Sequence, residues 1–156
     1  MTSSAYRFLL ILLLASPALT SLAQDVPRWA PRAAEADTLY SNQDYVGAAK
    51  IYTEILDANV QKDGKYDDRN LYGILYKRAV CYYSVEKFEE ALKDIDMFDP
   101  VFPKAPQPKI LKAFIYRALD NVDKQLENLE QAMAMQPPNP DFLKWRGLLL
   151  IQKNKY

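Results

Sequence analysis

Small residues recur along this chain at a fixed step on helical stripes, and that recurrence constrains the fold more than any other feature. In Lys87 to Phe98 the apolar residues Phe88, Ala91, Leu92, Ile95 and Phe98 fall at the i, i+3, i+4, i+7 spacing of an amphipathic helix, with Ala91 in mid-stripe. Pro100 and Pro103 then stop it. Asp44 to Leu56 carries the pattern in phase: Tyr45 answers Phe88, Ala48 answers Ala91 and Tyr52 answers Ile95. Asn121 to Met133 carries it again with Val122, Gln125, Leu129 and Ala132, Gln125 now answering Ala91. The preceding helices hold a second series, Ala36, Ala79, Ala113 and Gly147, whose first step is long and whose next two are equal. A large residue follows each by three positions: Leu39, Tyr82, Tyr116 and Leu150. The step from Ala91 to Gln125 is the same as that from Ala79 to Ala113, and Pro103 to Pro137 repeats it. The unit is a helix pair with a period of about 34 residues, and about nine residues are inserted between the first two copies.

A unit of this length, with a small then a large residue in its first helix, an alanine and an aromatic in its second and a closing proline, resembles the tetratricopeptide repeat (TPR) family. Copy one shows Ala36, Leu39, Ala48 and Tyr52; copy two Leu75, Ala79, Tyr82, Ala91 and Pro103; copy three Ala113, Tyr116, Leu129, Ala132 and Pro137. The resemblance implies an all-α fold, a right-handed α-solenoid of antiparallel helix pairs. Its TPR-like domain would span 31–153, with repeats at about 29–58, 72–105 and 106–139, a capping helix at 140–153 and an insertion loop at 58–68. Ile55 and Phe98 stand where the family usually has a small residue, and Lys109 and Gln125 depart from it in copy three. Stacking is what makes such a unit stable, because each pair has more apolar surface than it can bury alone.

Residues 1–23 read as a signal peptide. Arg7 is the only charge before Asp25, Phe8 to Ala15 is a short apolar core, and Ser21-Leu22-Ala23 offers small residues before a cut at Gln24. The apolar run is too short and broken for a span of about 20 residues, so cleavage is favoured over an anchor. Residues 24–30 should form a lead-in, extended over Gln24 to Trp29. The whole chain has 20 basic and 20 acidic residues; the leader takes only Arg7 from that balance, and nothing in it calls for nucleic acid. Export permits disulfides, but Cys81 is the sole cysteine and sits in an apolar, aromatic run, as a buried thiol would. The insertion ANVQKDGKYDD has Gly64, Asp63, Asp67 and Asp68, yet lacks the ligand spacing of a calcium loop.

There is no histidine, which removes the commonest general base and metal ligand. No phosphate-cradling glycine motif is present. The carboxylate pairs Glu89/Glu90, Asp94/Asp96 and Glu127/Glu130 lie mostly on polar helix faces. The chain therefore reads as a non-enzyme with no cofactor and no metal. The family resemblance implies that the first helices line a concave groove. Carried onto this sequence, its partner-binding residues are Tyr40, Tyr76, Lys77, Val80, Tyr83, Phe114 and Arg117, with Asp37, Lys144 and Leu148 beside them. Tyrosine and arginine suit such a role because they combine large contact area with a polar handle. The expected function is a protein–protein interaction module or adaptor binding a peptide or partner protein as a monomer or weak oligomer. Exported members of this size are most often bacterial, which implies a periplasmic or extracellular place. The alternatives are a structural or accessory subunit of an envelope or secretion assembly, acting by self-association or docking, and a hydrolase with two carboxylates facing across a cleft at about 5–9.5 Å.

Overall fold

The computed structural model describes residues 26–154, so the leader expected over 1–23 lies outside the described residues. Those residues form seven helices and no strand: α1 (Ala30–Ser41), α2 (Tyr45–Asn59), α3 (Asn70–Ser84), α4 (Phe88–Phe98), α5 (Pro106–Ala118), α6 (Val122–Ala134) and α7 (Pro140–Lys153). α1 packs on α2, α3 on α4 and α5 on α6, while α2–α3, α4–α5 and α6–α7 contacts join the pairs into one stack. The lead-in is a turn rather than extended at its described end, because the Pro27 carbonyl accepts from Ala30 N–H at 2.9 Å. α2 runs to Asn59, so the inserted loop spans 60–69 and begins later than expected. That loop folds back on the stack: Tyr66 meets the Tyr72 ring edge-on at 5.4 Å, and Trp29 Nε1 donates to Asp68 at 3.1 Å.

The three turns inside the pairs are copies of one another. They run over 42–44, 85–87 and 119–121, and each central residue is left-handed: Gln43 (φ 64°), Glu86 (φ 60°) and Asp120 (φ 52°). The next backbone N–H then reaches back to the first helix, from Asp44 to Leu39, Lys87 to Tyr82 and Asn121 to Tyr116, at 2.9, 2.8 and 2.8 Å. This is the Schellman closure of a helix end. Asp44 and Asn121 go on to cap α2 and α6 by accepting from Gly47 and Lys124. A Cβ on Gly47 would lie 2.4 Å from the Asp44 carboxylate, so glycine makes room for that cap.

Ala36, Ala48, Ala79, Ala91, Ala113 and Ala132 are all fully buried. They stand where helices cross, and their size permits the roughly 8–10 Å approach of packed axes. The core divides into three clusters, around Tyr52, Leu56 and Leu75, around Ile95 and Ile115, and around Leu126 and Leu129. Within the first junction, Arg78 on α3 donates from Nε and Nη2 to both Asp94 oxygens on α4 at 2.8 and 2.7 Å, and from Nη1 to Thr53 on α2 at 3.1 Å. Burial pushes the Asp94 carboxyl above its ordinary range, against the pull of Arg78. Cys81 is fully buried, and burial pushes its thiol up to about 12.

Two outcomes are expected. Arg78→Ala leaves the 2% exposed Asp94 without its charge partner and should cost about 3–5 kcal/mol in chemical denaturation; Arg78→Met combined with Asp94→Leu should recover most of that loss. Glu86→Gly relieves a left-handed non-glycine residue at an exposed turn and should raise stability by about 1 kcal/mol.

Candidate functional site

The candidate site lies along the row of first helices, where side chains of α1, α3, α5 and α7 meet one another. Its N-terminal end is polar. Lys77 Nζ on α3 holds both carboxylate oxygens of Asp37 on α1 at 2.7 and 2.8 Å, and Tyr52 on α2 donates its hydroxyl to the same carboxylate at 2.5 Å. Burial works to raise the Asp37 carboxyl, but Lys77 and Tyr52 outweigh it and hold the group below its usual range. Burial and the Asp37 bond push the Tyr52 hydroxyl well up.

Tyr40 and Tyr76 are half-buried beside this pair. Tyr40 meets Tyr45 edge-on at 5.6 Å, and Tyr76 tilts against Phe98 at 5.3 Å. Burial, with the neighbouring Tyr40, raises the Tyr76 hydroxyl. Both rings are thus engaged in packing as well as facing the row. Val80 is half-buried against the cluster around Ile95.

The C-terminal end is aromatic. Tyr83 on α3 lies 6.4 Å from Phe114 on α5, which stacks on Trp145 of α7 at 5.0 Å and 30°; Phe142 meets Trp145 at 6.3 Å. Beside this run a cavity of about 340 Å³ is lined by Arg117, Asp120, Lys144, Trp145, Leu148 and Gln152, among others. Such spacings are those of favourable aromatic pairs, and the exposed Arg117 and Lys144 put cations at the edge of the run. The arrangement offers apolar contact, π faces and charge-assisted donors. It activates no nucleophile among the described residues.

Of the residues expected from sequence, the structure brings Tyr83, Phe114 and Arg117 to the aromatic end and Tyr40, Tyr76 and Lys77 to the polar end, with Val80 between. It adds Trp145, which the sequence reading did not single out. Trp145 stands two whole periods after Lys77, so the repeat phase marked it.

No protein-family model matches this chain, and no significant match to it is found among curated proteins. Solved structures do match it. The first TPR of Spaghetti (RPAP3), bound to an HSP90 peptide, superimposes with a TM-score of 0.67 at 15% identity over 81% of this chain and 93% of that one. The Sgt2 TPR domain from Aspergillus fumigatus gives 0.65 at 15% identity, with 83% and 82% covered. The Yersinia enterocolitica type III secretion chaperone SycD, in complex with a peptide of the translocator YopD, gives 0.65 at 12% identity, with 80% and 93% covered. At such identities the likeness is one of fold, and the fold is a TPR-like helical repeat.

Acidification separates the polar end from the rest. The folded Asp37 carboxyl lies below its ordinary value, so its contribution is present above about pH 4 and is lost as pH falls further. Asp37 is 44% exposed, and solvent screening holds the effect to about 0.5 kcal/mol. Lys77→Met should therefore lose about that much less stability than the parent between pH 6 and pH 3, measured by urea denaturation at each pH.

Proposed function

We propose that this chain is a non-catalytic interaction module that holds an extended segment of another protein along its first-helix row. One observation carries the reading. The rings of Tyr83, Phe114 and Trp145 run unbroken across α3, α5 and α7, beside the cations Arg117 and Lys144. A surface of that kind gives adjoining contact area to a segment crossing several helices, and stacked repeats hold it rigid. Binding to a preformed row keeps the ordering cost on the ligand side alone. Structures of the same fold support the reading, since two of those above were solved with a peptide bound. The segment bound here would combine apolar or aromatic residues for the ring run with a carboxylate for Arg117.

The leader pattern of residues 1–23 supports an activity outside the cytoplasm, in a periplasmic or extracellular compartment. Among the described residues no helix is long and apolar enough to cross a membrane.

The test is capture of a partner from the exported fraction. Tyr83→Ala combined with Arg117→Ala should reduce recovery of the specifically bound protein at least tenfold while helical circular dichroism stays native. Undiminished recovery by a folded double variant would refute the proposal.

A further inference from the structure

The repeat register calls for a helix that the described residues do not contain. Leu143, Gly147 and Leu150 of α7 stand two periods after Leu75, Ala79 and Tyr82 of α3, with Leu143 and Leu150 matching Leu75 and Tyr82 in turn. In α3 that stripe is covered by α4 and by α2, and Leu75 and Ala79 are wholly buried. In α7 it is open. Leu143 is 51% exposed and Ile151, on the same face, is 56% exposed; a Cβ built on Gly147 meets no atom within 4 Å. α7 closes the stack with its other side, through Phe142, Trp145 and Leu149, and presents outward the stripe on which a following helix would pack.

Charge says what that helix would carry. Arg146 is the register equivalent of Arg78, again two periods on. Arg78 spends Nη1 on the preceding second helix and Nε with Nη2 on Asp94 of the covering one. Arg146 spends Nε on Glu130 of the preceding second helix at 2.6 Å, and its Nη groups have no hydrogen-bond partner among the described residues. At about 100° per residue, Lys144 flanks the open stripe on one side and Arg146 and Lys153 flank it on the other, Lys153 being paired with Asp123 at 2.6 Å. A helix with acidic flanks would meet them favourably.

We propose that α7 docks an amphipathic helix of a partner protein, with apolar residues in the large–small–large order of Phe88, Ala91 and Ile95 and a carboxylate in the place of Asp94. This is helix-in-groove recognition on the outer side of α7, and it adjoins the first-helix row at Lys144 and Ile151. The chain itself supplies the probe: a peptide of the sequence Lys87 to Asp99, held helical by a lactam between Glu89 and Lys93 on its polar face. The purified protein should bind it saturably in fluorescence polarisation. Leu143→Glu combined with Ile151→Glu changes only exposed positions and should weaken binding at least tenfold. Asp94→Lys in the peptide should do the same. Tyr83→Ala combined with Arg117→Ala in the protein should leave it unchanged, which separates this site from the first-helix row. No saturable binding, or binding indifferent to the Leu143 and Ile151 changes, would overturn the proposal. So would light scattering that shows a dimer dissociated by those same two changes, since the face would then belong to a second copy.

Discussion

Every junction between repeats makes the same polar contact, and the phase of the stack depends on it. A cation in the first helix of one pair reaches a side chain in the second helix of the pair before it: Arg78 to Thr53, Lys112 to Asp96, Arg146 to Glu130. Arg78, Lys112 and Arg146 stand one full period apart in turn. The contact spans 25 residues at the first junction and 16 at the last, and the difference is the inserted loop. The chemistry of the acceptor follows from charge already present. Arg78 is neutralised by Asp94 within its own pair, so a hydroxyl suffices at Thr53, whereas Lys112 and Arg146 each take an acid from the preceding helix. Half-exposed pairs such as Arg146–Glu130 contribute well under about 1 kcal/mol each. Their effect is on register: a slip of one residue along either helix would part the charges by about 1.5 Å and turn them about 100° away.

Between those contacts the approach distance is set by alanine. All six alanines of the series are fully buried, and any larger side chain there would force the packed helices apart. Gln125 holds the corresponding place in α6 at 4% exposure, so the third pair accommodates a longer side chain at the same crossing. Backbone closure completes the constraint. The three Schellman turns take their acceptors from Leu39, Tyr82 and Tyr116, the large residues of the repeat pattern, so one period sets both the side-chain packing and the reversal of the chain.

The alanine and large-residue series made the helices, their pairing and the inserted loop legible in the sequence, because a single phase shared by several residue types has few structural solutions. The turns were less legible. Left-handed residues usually announce themselves as glycine, and here they are Gln43, Glu86 and Asp120, held by the closure on both sides rather than by their own preference. The junction contacts were hidden because Thr53, Asp96 and Glu130 share a position without sharing a chemistry. In the candidate site, Tyr83, Phe114 and Arg117 followed from the family resemblance, whose groove positions the repeat phase carries onto these residues. Trp145 did not stand out because its equivalents, Lys77 and Leu111, are a surface cation and a buried aliphatic. The Asp37–Lys77–Tyr52 cluster joins three helices, and no single stripe contains it.

Enclosure is greatest at α2 and α3 and least at α7, and this places Trp145 of the candidate site on the least enclosed element. α2 and α3 each bury six residues, whereas Leu149 is the one buried residue of α7. The junction cation goes the same way, from 13% exposed at Arg78 and 14% at Lys112 to 44% at Arg146. In a stack where each pair contacts only its neighbours, stability is nearly a sum of local terms, so the helix packed against a single neighbouring pair opens first. Trp145 joins α7 to Phe114, and a ligand lying over both rings bridges the last junction that holds α7 in place. A helix packed on the outer stripe of α7 would act on the same junction from the other side. Each would stabilise the closed α7, so ligands at the two proposed surfaces would be coupled in sign through Trp145 and Leu149.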